Sequence, residues 1–95
     1  MRVRWTALAL EDLAAARDYL AAGDPKAARA LLHRIRAAIA QVRRLPRSGR
    51  VVPERRAQGY REIVLAPYRL VYAIAAREVH VIRFWHSRRD PAGFP

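Results

Sequence analysis

The chain is 95 residues long, 53% hydrophobic, free of cysteine, and carries a formal charge of +11. That length suits a single domain over residues 1–95 with one modest core, and the apolar share is too high for a disordered chain. Disulfides and thiolate metal sites are excluded, and His33, His80 and His86 lie dispersed without ligand spacing, so neither a metal nor another cofactor is expected.

Of the nineteen basic residues only Lys26 is a lysine, and they are unevenly placed. Residues 1–24 hold three basic and four acidic groups, whereas residues 25–95 hold sixteen basic and four acidic. A bias toward arginine and alanine explains the choice of arginine over lysine but not the net excess. The guanidinium pairs with phosphate or carboxylate through two parallel hydrogen bonds, so an anionic partner is expected: nucleic acid, the ribosome or an acidic protein segment.

The opening MRVRWTALALEDLAAA places two arginines before an apolar run, but Glu11 and Asp12 end that run too early for a signal peptide. No stretch reaches the roughly 18 apolar residues of a membrane span, since Arg69 and Arg77 interrupt the best candidate. A soluble, cytoplasmic protein without a membrane partner is expected.

Arg2 to Trp5 reads as a short strand. Thr6 is placed to cap a helix whose apolar face is Ala9, Leu13, Ala16 and Leu20, with Glu11 and Asp12 near its positive end. Gly23 stops it, and Asp24 with Pro25 starts a second helix running to about Leu45. Ala28, Leu31, Ile35, Ala38, Val42 and Leu45 form its apolar seam. Arg29, Arg36 and Arg43, seven residues apart with His33 between the first two, make a basic stripe beside it. So short a turn predicts an antiparallel helical hairpin. Pro46 opens a polar loop over 46–59. Residues 60–66, 68–75 and 78–86 then read as an antiparallel meander, and residues 91–95 as a frayed tail. The fold class is α+β: β-α-α-β-β-β, with the hairpin on one face of a small, mainly antiparallel sheet.

If the turns pair 75 with 78 and 64 with 69, then 69 lies opposite 84. One face then carries Ile63, Leu65, Leu70, Tyr72, Ile74, Val79, Val81 and Trp85 toward the helices, with Arg83 on that side near the sheet edge. The other carries Tyr60, Glu62, Arg69 and His86 among Val64, Val71, Ile82 and Phe84. Arg69 inside an apolar strand needs a partner, either an external anion or Glu62 on the same face. Glu54 reads most simply as a loop residue neutralised by Arg55 and Arg56, and His86 as a strand-end histidine.

The order of GRVVPE (49–54), REI (61–63), YRLVY (68–72) and WHSRRD (85–90) after a strand and a helical hairpin resembles the ParE/RelE toxin superfamily of bacterial type II toxin–antitoxin modules, also called plasmid-stabilisation proteins. The likeness runs from Trp5 to Asp90, and WTALALEDL, the Gly-Asp-Pro break and GRVVPE lean toward the ParE branch. That resemblance implies a toxin that inhibits DNA gyrase by binding it and is neutralised by a cognate ParD-like antitoxin with an acidic C-terminal segment. It implies contact with operator DNA only through the antitoxin complex.

The alternative branch, RelE- or YoeB-like, implies a metal-independent endoribonuclease that cuts ribosome-bound mRNA by attack of the ribose 2′-OH, which needs a base, cations and an acid. Glu54 matches its general base, Arg69 its phosphate-binding arginine and His86 its C-terminal histidine, with Arg83 assisting. Ser87 follows His86 where that branch carries a late tyrosine, and the central loop has arginines, poor proton donors, in place of lysines. Both departures weigh against cleavage. Arg50, Arg69, Arg88 and Arg89 are the candidate target- or anion-binding groups. Leu32, Ile39, Arg29 and Arg36 are candidates for antitoxin docking. A plain nucleic-acid-binding module is the third, weaker alternative.

Overall fold

A computed structural model describes residues 1–87. In chain order it contains β1 (Arg2–Trp5), α1 (Ala7–Gly23), α2 (Pro25–Arg44), β2 (Arg50–Val51), a 3₁₀ segment (Pro53–Gln58), β3 (Arg61–Leu65), β4 (Tyr68–Ala75) and β5 (Glu78–His86). The tail expected at 91–95, with Arg88 and Arg89, lies outside the described residues. Among the described residues no helix is long and apolar enough to cross a membrane.

Both helix starts follow from their caps. The Thr6 hydroxyl accepts the Ala9 N–H at 3.1 Å and donates to the Ile82 carbonyl at 3.2 Å, so one side chain opens α1 and ties it to β5. Asp24 accepts the N–H groups of Lys26 and Ala27, and Pro25 fills the first position of α2, where its missing N–H costs nothing. Ala28, Leu31, Ile35, Ala38 and Val42 are buried along α2, but Leu45 follows the helix end and is 57% exposed.

The sheet is five-stranded and mixed, in the order β1-β5-β4-β3-β2. β1 runs parallel to β5, pairing Val3 with Val79 and Trp5 with Val81, while the other pairs are antiparallel. The helices cover one face. There Leu70, Tyr72, Val79, Val81 and Phe84 are fully buried with Ala9, Leu31, Ile35 and Val42. Burial of each large apolar side chain stabilises this layer by about 1.5–3 kcal/mol. Val52, Val71 and Trp85, with Tyr60 against them, form a second small core on the other face.

The turns pair 75 with 78 and 64 with 69 as expected. Ala76 and Arg77 both take left-handed φ values, 52° and 61°, as a two-residue hairpin turn requires. Between them and the end of β5 the alternation slips: Tyr72 pairs with Val81 but Val71 with Arg83, which leaves Ile82 extra in a bulge. Position 69 therefore faces Trp85, not Phe84. Phe84 turns into the helix-covered core and stacks on Tyr68 at 5.0 Å. Trp85 turns to the open face.

The loop after α2 is anchored. Tyr72 donates its hydroxyl to the Pro46 carbonyl at 2.6 Å and accepts the Gly49 N–H at 2.9 Å. Gly49 is needed there, since a Cβ would come within 2.5 Å of the Tyr72 hydroxyl. Arg61 donates to the Arg47 and Gly49 carbonyls, holding the chain as it enters β2.

Candidate functional site

The open face of the sheet concentrates charge. β3 and β4 carry Glu62 and Arg69 to its centre, because residues two apart share a face. The Glu62 side chain has no exposure and takes a hydrogen bond from Arg50 Nε at 2.6 Å and another from Arg69 Nε. The terminal nitrogens of Arg69 reach Glu54 at 3.1 and 3.5 Å, so the exposed 3₁₀ segment is tied to the sheet through its first turn. The pairing of Arg69 with Glu62, one of two readings open from the sequence, is thus present. Glu54, expected to be neutralised by Arg55 and Arg56, instead sits on Arg69.

The electrostatics follow from these contacts. Burial pulls the Arg69 guanidinium down most, but the hydrogen bonds it donates to Glu62 and Glu54 more than offset this and hold its pKa above the usual arginine value. The backbone of Glu54, then Arg69, hold the Glu54 carboxyl below its ordinary range. A carboxylate held low and paired to a guanidinium is a weak general base at neutral pH.

Trp85 lies between two guanidiniums, with the Arg69 carbon 5.6 Å and the Arg83 carbon 5.0 Å from its ring centre. Arg83 shares the open face with Val71, not the helix-covered face expected for it, because the bulge precedes it. It reaches the sheet edge, where Asp12 of α1 accepts from its Nε at 2.7 Å and its Nη2 at 3.0 Å. Asp12 also accepts the Phe84 N–H at 3.0 Å. Read from sequence as a helix-terminus charge, Asp12 lies beyond the first turn and serves as a clamp between α1 and β5. Nothing local in the sequence signals this.

The bulge also separates the proposed catalytic residues. His86 pairs with Tyr68, whose ring it meets edge-on at 5.4 Å, and so lies toward the helices. Sequence register had put it on one face with Arg69, but the structure places Glu54, Arg69 and Arg83 on the open face and His86 on the other. Arg2, Arg4, Arg50, Arg69 and Arg83 on the open face each have a carboxylate partner.

The uncompensated charge lies elsewhere. Residues 25–49 contain Lys26, Arg29, Arg34, Arg36, Arg43, Arg44 and Arg47 and no acidic residue. Arg29 and Arg36 are exposed on α2, while Leu32 and Ile39 are half-buried beside Arg36 and Arg43 in a groove of about 400 Å³ with Trp5 and Leu13.

A family model described as "ParE toxin of type II toxin-antitoxin system, parDE" matches residues 3–91. The chain is 35% identical over 89 residues to Toxin RelE2 of Caulobacter vibrioides, spanning 93% of this chain and 97% of that protein. It is 36% identical over 91 residues to Y4kP of Sinorhizobium fredii, spanning 94% and 91%. A solved structure titled "Chromosomal ParDE TA system from P. aeruginosa" matches with a TM-score of 0.63 at 25% identity, covering 90% of this chain and 95% of that one. Fold and sequence together define a type II toxin of the ParE/RelE superfamily. Within it, the chain belongs to the ParE toxin family.

Proposed function

We propose that this ParE-family toxin acts in the cytoplasm by binding DNA gyrase, without hydrolytic chemistry of its own. A cognate antitoxin with an acidic C-terminal segment neutralises it by docking along α2 at Leu32 and Ile39, flanked by Arg29 and Arg36. Operator DNA is contacted only through that complex. The observation that carries the choice of target is the scattering of the nuclease candidates: Glu54 is spent on Arg69, and His86 is on the other face of the sheet. A two-residue proton relay needs both groups within hydrogen-bond reach of one substrate.

The test adds purified protein to a cell-free translation reaction and maps new 5′ ends of the message by primer extension, beside a gyrase supercoiling assay. Intact message with inhibited supercoiling is expected. Ribosome-dependent cuts that vanish in Glu54→Ala would move the protein to the endoribonuclease branch.

A further inference from the structure

The carboxylates of this chain are placed away from its most basic element. Asp12, Glu54, Glu62 and Glu78 pair with arginines of the sheet, Asp18 pairs with Arg17, and Asp24 is engaged in capping α2. Among the described residues no carboxylate pairs with Arg29, Arg36 or Arg43, all exposed on α2. Seven residues advance a helix by almost two whole turns, so the three arginines stand in a row. That row is the outermost ridge of α2, opposite the buried Leu31, Ile35, Ala38 and Val42, and it is about 21 Å long.

The ridge carries charge and almost nothing else. Between its arginines lie His33 and Ala40, both exposed, so a protein segment finds no apolar pocket for an anchor there. The groove with Leu32 and Ile39 lies on the flank. Residues 25–49 include no Phe, Trp or Tyr, so no aromatic ring is present on which the bases of a single strand would stack. Gln41, a residue type suited to reading a base edge, donates instead to Ser48 Oγ at 3.0 Å. What such a ridge fits is a stiff row of phosphates.

We propose that the outer ridge of α2 is a sequence-independent contact for the phosphate backbone of duplex DNA, made by Arg29, Arg36 and Arg43. Its length spans about six base-pair steps, and each guanidinium can hold a phosphate through two parallel hydrogen bonds. A backbone contact reads no bases, so the choice of an operator stays with the antitoxin complex. Taking duplex DNA over duplex RNA rests on the gyrase reading, because that target works on duplex DNA; the contact itself does not. Arg36 and Arg43 also line the groove ascribed to the antitoxin, so neutralisation and release from DNA are coupled.

The test titrates the full chain against fluorescein-labelled duplexes of about 20 base pairs in two unrelated sequences, by fluorescence polarisation from about 50 to 200 mM salt. Equal affinity for both is expected, falling steeply with salt. The triple variant Arg29→Gln, Arg36→Gln, Arg43→Gln is expected to make the slope of log K against log salt shallower by about 2.7, and to weaken binding at least about tenfold at the low-salt end. Arg2→Gln, Arg4→Gln, Arg17→Gln removes the same charge elsewhere and is expected to leave the slope unchanged. An equal loss in both triple variants would overturn the proposal, since net charge alone would then account for binding. Tighter binding to the single strand or to duplex RNA would overturn it as well. A supercoiling assay run beside the titration separates the two readings. Inhibited supercoiling without duplex binding would sink this inference alone, and duplex binding without inhibition would sink only the choice of gyrase.

Discussion

Glu62 accepts from Arg50 and Arg69 in a site with no solvent, yet the two arginines do not share its fate. The Arg69 side chain is 16% exposed and Arg50 63%, so only the first pair is desolvated. Removing one partner of a buried pair leaves an uncompensated charge, whereas a surface pair contributes little. Glu62→Ala is therefore expected to cost about 3 kcal/mol in urea denaturation, and Arg50→Ala under about 1 kcal/mol. Glu54 is a pH matter. Folding lowers its pKa from 4.5, so near that pH the unfolded chain binds more protons, and the stabilisation is complete above 4.5 and lost as pH falls through the folded value. Glu54→Gln should therefore lower Tm at neutral pH slightly, leave it close to that of the unaltered chain at pH 3, and so flatten the acid limb below pH 4.5. An unchanged acid limb would show that the Arg69 contact is not populated in solution.

At the scale of elements, two joints hold the layers in place. Asp12 joins α1 to β5 through both Arg83 and the Phe84 N–H, beyond the point where β1 ends at Trp5. Asp12→Ala strands a guanidinium that is 8% exposed, and a loss of about 3 kcal/mol is expected, read as a lower urea midpoint. Replacement of Arg83 by Leu in that background should recover part of it, because the buried charge that Asp12 balanced is gone. The β4–β5 turn runs the other way. Ala76 and Arg77 occupy left-handed conformations that favour Asn and Gly, so the double change Ala76→Asn, Arg77→Gly is expected to raise stability by about 1 kcal/mol. Calorimetric Tm checks the sign.

For the whole molecule, charge is segregated: the open sheet face is compensated by ion pairs, while α2 carries basic residues and no acidic one. An acidic segment on α2 would relieve that repulsion. Ile39→Arg is expected to weaken binding of a co-expressed antitoxin at least about tenfold, measured by calorimetry, while Tm falls only a few degrees. Parallel losses of binding and Tm would make Ile39 a core residue and nothing more.

The amino-acid sequence by itself determined the elements and their caps. The three-four seam of α2, Thr6 and Asp24 as caps, and the strands over 68–75 and 78–86 are local facts, written in side-chain period and hydrogen-bonding capacity. The two turn registers were legible for the same reason. What the tertiary structure alone decided begins at Ile82. A bulge in mid-strand has no local signature, since it depends on whether Phe84 or Trp85 fits beneath α1, and one extra residue there exchanged their faces and parted His86 from Arg69. The clamp at Asp12 and the bond from Arg69 to Glu54 join residues 71 and 15 positions apart. Such partners are chosen by packing in three dimensions, where sequence spacing carries no information.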